Sequence, residues 1–281
     1  MRAMESSTKS STGLVAGIDL GSGTTKCVLV DQDGVVRGRG FLRTKVDFEK
    51  VAQEALEAAR LDAGLAGEEV AYVATTGLGR YAVPFRDIQI TDLTCGARGA
   101  FTAFPTTRYV LDIGAQCSRA IKVREGGKVK EFHMNEKCAA GSGGFLERAA
   151  KYLEVTVADI GLLSRGAVKP QPISSVCAVL AESEIINHVS DGVAVEDILR
   201  GIHNSLADRA LSLLKRVGLG GADAEVTFIG GVARQEGMVA ALREKLGVPV
   251  HVPEGPHLMA ALGAALLGLQ RLRKLSAPAA A

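Results

Sequence analysis

Leu14–Leu20 is an apolar run broken only by Gly17 and Asp19, and it ends in Gly21-Ser22-Gly23. Runs of this length bounded by glycine read as strands. Thr24–Val30, rich in β-branched residues, follows the turn, and Asp31-Gln32-Asp33-Gly34 closes it before a third run from Val35. Three runs joined by a glycine turn and an Asp-Gly turn predict an antiparallel meander. Beyond it, Phe48–Leu61 carries Ala, Glu and Leu in a helical pattern, and Val70–Thr75 is again strand-like. Leu93–Phe104 reads as a helix stopped by Pro105, whose ring and missing N–H forbid continuation.

The pattern then starts again. Tyr109–Ile113 ends in Gly114, Ser118–Val123 is a second run, and Gly126-Gly127 turns into a third from Lys128. One word therefore occurs twice, as Gly17-Ile18-Asp19-Leu20-Gly21 and as Leu111-Asp112-Ile113-Gly114. Such repetition predicts two related α/β halves. A helical insertion runs roughly from Gly143 to Val217, strands return at Val226–Ile229 and Val248–Val252, and an Ala/Leu-rich helix closes the chain near Leu258–Leu272. The expected organisation is a short disordered tail over 1–13 and a first lobe over 14–104, completed by the terminal helix at 257–273. A second lobe over 105–256 carries the insertion.

Composition narrows the function. The chain has 281 residues, and its 47% apolar content is enough for a sizeable core. Lys and Arg exceed Asp and Glu by only two, aromatics make up 4% and Trp is absent; nucleic-acid binders instead carry a basic excess. No uncharged apolar run approaches the roughly 18 residues that suggest a membrane span. Five cysteines, an odd number in a chain of cytoplasmic character, argue against a disulfide framework and leave room for another use.

The repeated word has a chemical rationale. A glycine turn (Gly21, Ser22, Gly23) lets backbone N–H groups approach phosphate oxygens, and Thr24 and Thr25 can add hydroxyl donors. Gly114 and Gln116 mark the corresponding turn of the second half. Asp19 and Asp112, each at a strand end, would place carboxylates on opposite sides of a cleft, where they can hold hydrated Mg²⁺. Downstream, Phe228-Ile229-Gly230-Gly231-Val232-Ala233 is a strand running into two glycines, where a purine ring could lie against bare backbone. The order of these segments resembles the actin, hexokinase and heat-shock-protein-70 ATPase superfamily. It is neither a Walker A loop nor a dinucleotide-binding fingerprint, since a strand follows Gly23 and no Gly-Lys-Ser/Thr is present at the required spacing. The resemblance implies a two-lobed α/β ATPase of actin-like fold, with ATP·Mg²⁺ in the cleft.

Cys138 lies in Asn135-Glu136-Lys137-Cys138-Ala139-Ala140-Gly141-Ser142-Gly143, and Cys177 in Ser174-Ser175-Val176-Cys177-Ala178-Val179-Leu180-Ala181-Glu182-Ser183-Glu184. Each is expected just before a helix, where the dipole and free N–H groups favour a thiolate. Spacing alone also allows small buried hydrophobes, because no CxxC pair occurs. The segments resemble the cluster-binding motifs of one ATPase family, the activators of 2-hydroxyacyl-CoA dehydratases and the ATPase subunits of benzoyl-CoA reductase. The similarity runs from about Leu14 to Leu272 and includes Thr75-Thr76-Gly77-Leu78-Gly79-Arg80 and Gly201-Ile202-His203. It implies one [4Fe–4S] cluster bridged between two ATPase chains, with Cys138 and Cys177 as this chain's ligands. Dehydratase activators commonly carry Asp-Ile-Gly-Gly-Gln-Asp, where this chain has Asp112-Ile113-Gly114-Ala115-Gln116-Cys117. That departure, with Cys95-Gly96-Ala97-Arg98-Gly99-Ala100, leans toward the smaller ATPase subunit of benzoyl-CoA reductase.

The resemblance therefore implies an ATPase that delivers low-potential electrons from a ferredoxin-like donor to a CoA-ester reductase. The alternatives are a homodimeric dehydratase activator, a metabolite kinase on the same fold and a non-catalytic protein of actin type. Cys27 is expected in the core, Cys95 has no evident second ligand, and His133, His188, His203, His251 and His257 are too scattered for a site.

Overall fold

The computed structural model describes residues 13–65, 69–135 and 142–276. The meander is β1 (Leu14–Leu20), β2 (Thr24–Val30) and β3 (Val36–Arg43), with β4 (Val70–Gly77) parallel to β1 and a short β5 (Ile88–Gln89) beyond it. The second sheet repeats the plan with β6 (Tyr109–Ile113), β7 (Ser118–Arg124) and β8 (Lys128–Asn135). Here β9 (Val226–Ile229) runs parallel to β6 and β10 (Val250–His251) lies outside it. The orders β3-β2-β1-β4-β5 and β8-β7-β6-β9-β10 correspond strand for strand. The expected Val248–Val252 strand shortens to two residues, and the carbonyl of Pro249 accepts from the Val226 N–H at 3.0 Å.

Helix α1 (Phe48–Asp62) starts where the Asp47 carboxylate accepts the Lys50 N–H at 2.9 Å, a side-chain cap for an otherwise unpaired donor. It buries Val51, and packs Ala52, Ala55, Leu56 and Ala59, a helical-period stripe, against the first sheet. Helix α2 (Asp92–Ala103) and the terminal helix α8 (Met259–Ser276) lie between the two sheets. Cys95 and Ala264 meet Ala74 of the first sheet, while Ala97 and Ala100 meet Val110, Ile121 and Val123 of the second. The two helices approach so closely that a Cβ on Gly263 would overlap the Cys95 carbonyl, and one on Gly99 that of Met259.

Helices α3 (Gly143–Tyr152), α4 (Ile160–Leu163), α5 (Ala178–Ser190), α6 (Val195–Arg216) and α7 (Glu236–Leu246) build the rest of the second lobe around Phe145, Phe228, Ile185, Ile198 and Ile202. His203 on α6 is fully buried; its Nδ1 lies 2.9 Å from Ser164 Oγ, whose hydroxyl donates to the Gly161 carbonyl. Burial, reinforced by Arg200, lowers its pKa to about 4 from an ordinary 6.5. The unfolded chain therefore takes up this proton first, so the neutral imidazole's contribution is complete above about pH 6.5 and is lost as pH falls toward 4. The loss reaches roughly 3 kcal/mol at about 1.4 kcal/mol per unit. Urea melts should show wild type losing more stability than His203→Gln between pH 7 and 5; parallel losses would contradict this account.

Among the described residues, no helix is long and apolar enough to cross a membrane.

Candidate active site

Hairpin register places a base opposite each repeated aspartate. Asp19 pairs with Lys26 across the first hairpin, and Asp112 with Arg119 across the second. Each base lies seven residues after its acid and donates to it at 3.0 Å. Both carboxylates are nearly closed off, at 8% and 9% exposure. Burial pushes the Asp112 carboxyl up; Arg119 opposes this and the Asp19 charge adds to it, so the two acids feel one another across the cleft.

The glycine turns face each other. A Cβ on Gly23 would lie 2.8 Å from the Ala115 side chain. In the first turn the Gly21 N–H donates to the Thr24 carbonyl, and Gly21, Ser22, Gly23 and Thr24 are partly open. Thr25 is fully buried behind them, its hydroxyl 2.9 Å from that of Thr44, which donates to the Gly21 carbonyl. Thr25 thus braces the loop from behind, while Thr24 stands at its mouth. In the second turn Gly114 donates to the Cys117 carbonyl and Gln116 is exposed at the tip. The Gly114 and Ala115 carbonyls accept the Gly143 and Gly144 N–H groups at 2.9 and 2.8 Å, which fastens the head of α3 to the turn.

Gly230 ends β9 with φ +93°, and a Cβ there would stand 2.5 Å from Asp112 Oδ1 and from the Ile113 carbonyl. Gly77 ends β4 with φ +86° and stands in the same relation to Asp19 Oδ1, at 2.5 Å, and to the Leu20 carbonyl, at 2.6 Å. The pair was not legible as a pair, because the words around it, Thr76-Gly77-Leu78 and Ile229-Gly230-Gly231, share only the glycine. The usable signal is topological: each glycine ends the strand parallel to an aspartate-bearing one. Gly77→Ala or Gly230→Ala combines left-handed strain with a clash on a carboxylate, and should cost about 2 to 4 kcal/mol. Denaturant unfolding checks this; a variant as stable as wild type would contradict the packing. Gly231, by contrast, is exposed with nothing within 4 Å of its Cβ position, an open patch of backbone.

The cysteines divide by environment. Cys27 and Cys95 are fully buried; burial pushes the Cys95 thiol up to about 12 and that of Cys27 further still, so neither is a ready thiolate. Cys177 is half-buried at the N-cap of α5 with no side-chain cap bond of its own. Arg148 on α3 donates to Glu182 on α5 at 2.6 Å, and Tyr152 adds a bond to the same carboxylate. Cys138 lies outside the described residues. Among those described, no group of three or more His, Cys, Asp or Glu could hold a metal ion, and the histidines do not converge.

Two sheets of matching topology, each with an aspartate and a glycine turn facing the other, define a two-lobed α/β protein of the actin-like ATPase fold. The sequence model of the BadF/BadG/BcrA/BcrD ATPase family matches residues 16–268, and the chain belongs to this family. It is 41% identical over 274 residues to a component of the benzoyl-CoA reductase of Thauera aromatica, covering 94% of this chain and 95% of that one. To the 2-hydroxyisocaproyl-CoA dehydratase activator of Clostridioides difficile it is 38% identical over 265 residues, covering 92% and 96%. The solved structure of the Clostridium difficile activator with bound ADPNP superposes with a TM-score of 0.87 at 36% identity, covering 95% of this chain and all of the other.

Proposed function

We propose that this chain is the ATP-hydrolysing, cluster-carrying component that drives low-potential electrons into a CoA-ester reductase of benzoyl-CoA reductase type. One observation carries the reading: the second glycine turn is hydrogen-bonded to the head of α3, and α3 is tied by Arg148–Glu182 to α5, whose N-cap is Cys177. What binds at the turn is thereby mechanically connected to Cys177. Cys117, in place of the acidic residue that dehydratase activators commonly carry, favours the reductase over the dehydratase activator.

In this reading the lobes are 14–104 with the terminal helix 257–273, and 105–256. Backbone N–H groups of Ser22 and Gly23, in the turns that Gly21 and Gly114 close, hold the phosphates with Thr24 and Gln116 beside them and Thr25 bracing the first turn from behind, and Gly230-Gly231 hold the adenosine. The paired carboxylates and glycine turns suit Mg²⁺, which when bound would neutralise phosphate charge. Asp19 and Asp112 would hold the hydrated ion and orient the attacking water. The N-cap position of Cys177 suits a thiolate ligand, and a [4Fe–4S] cluster there would supply one-electron transfer. Two cysteines, Cys138 and Cys177, are half the ligand set, so a second ATPase chain, like or paralogous, supplies the others. Val176, Val179, Leu180, Ile186 and Val189, all exposed on or beside α5, give that chain an apolar surface to cover. A ferredoxin-like donor reduces the pair in the cytoplasm.

The test is the company the protein keeps. Purified without oxygen, the tagged chain should bring down a larger paralogous ATPase chain and a CoA-ester reductase, and ATP should be needed for benzoyl-CoA reduction. A homodimer that activates a separate dehydratase built of two chains would assign it to the activators. Phosphorylation of a sugar or other metabolite would overturn the reading.

A further inference from the structure

Lys26 and Arg119 occupy equivalent positions, yet they do different things. Lys26 meets one carboxylate, Asp19, and no second acid among the described residues. Arg119 meets two: its Nη1 donates to Asp112 Oδ2 at 3.0 Å and its Nη2 lies 2.5 Å from Asp92 Oδ2. The guanidinium fork can span two acids in fixed directions, which a point-like ammonium does not reproduce. All three side chains are largely shielded, at 13% to 21% exposure. Asp92 belongs to the first turn of α2, where its Oδ1 also accepts the Leu93 N–H. That helix packs on both sheets and on α8, so its head is where a change at Asp112 could reach both lobes.

We propose that Arg119 is a positioning residue that links the cleft carboxylate Asp112 to Asp92, so that α2 registers what occupies the cleft. The proposal rests on the nucleotide site described above. A cation near Asp112 competes with Arg119 for that carboxylate. As this bond weakens, the guanidinium leans on Asp92 and anchors the first turn of α2 more firmly.

Hydrogen exchange of the full chain tests the link without relying on turnover. It compares nucleotide-free protein, a non-hydrolysable ATP analogue with Mg²⁺, and the analogue with chelator. In wild type, Mg²⁺ with the analogue should slow exchange over 92–103 by roughly twofold to fivefold, the scale of one partly exposed ion pair. Asp92→Asn should abolish that slowing while protection over 21–25 persists, and Asp92→Glu should restore part of it. Arg119→Lys, which keeps the charge but loses the fork, should behave like Asp92→Asn; it carries the comparison if the latter fails to fold. Slowing over 92–103 that survives either change would overturn the proposal. So would a wild type protected over 21–25 but unchanged over 92–103, an outcome that leaves the nucleotide site standing. Absence of any protection over 21–25 would remove the nucleotide site and this inference together.

Discussion

Asp112→Asn and Asp19→Asn should each hydrolyse ATP roughly a hundredfold more slowly than wild type or worse, since metal positioning contributes several kcal/mol and each decade is about 1.4 kcal/mol. The amide keeps the size of the side chain and its place beside Gly230 or Gly77. It removes the charge that would hold hydrated Mg²⁺ and orient the attacking water. It also weakens the pairing of a shielded base, Arg119 or Lys26, so unfolding must be measured alongside. A loss of about 1 to 3 kcal/mol in stability would come from that base alone. Steady-state hydrolysis of folded variants at saturating Mg²⁺·ATP is the decisive readout, and a near wild-type rate would remove the carboxylate role.

Cys177→Ala, or Cys138→Ala, should abolish iron binding and visible cluster absorption while nucleotide binding is retained. Cys177 stands at the start of α5, outside the buried core clusters, whereas the glycine turns stand on the sheets. Its loss therefore leaves no core cavity, and the backbone bonds from Gly114 and Ala115 to α3 do not involve it. Air exposure of the wild type should have the same outcome, bleaching the protein while the lobes stay folded. Iron analysis and nucleotide titration of anaerobic samples separate the two functions. A variant with full iron would displace the assigned ligand, and one unable to bind nucleotide would mean that the cysteine serves the cleft.

Strands with β-branched or apolar runs between glycine turns were legible to the residue: Leu14–Leu20, Thr24–Val30, Tyr109–Ile113 and Val226–Ile229 form as read. Leu14–Leu20, Tyr109–Ile113 and Val226–Ile229 are legible because they are buried on both faces. Thr24–Val30, partly open at Thr24 and Lys26, is marked instead by its β-branched residues and its flanking turns. The two-residue β5 had no such run to announce it. The Asp–base pairs could have been found, since hairpin partners lie equidistant from the turn, but Lys26 and Arg119 look like ordinary alternating polar positions without that register. Thr25 shows the converse: beside Thr24 in sequence, it points the other way and bonds Thr44. Position between the sheets was not legible in α2, whose two glycines lower its helix propensity: Gly99 makes room for Met259 of α8, and Gly96 faces Ile229 of β9.

The most direct test of the account is the mass and iron content of the protein, isolated without oxygen and measured together by light scattering and metal analysis. A pair of ATPase chains carrying one [4Fe–4S] cluster between them is the expected result. A monomer holding one complete cluster would mean that Cys27, Cys95 or Cys117 completes the site, and would contradict the shared-cluster account.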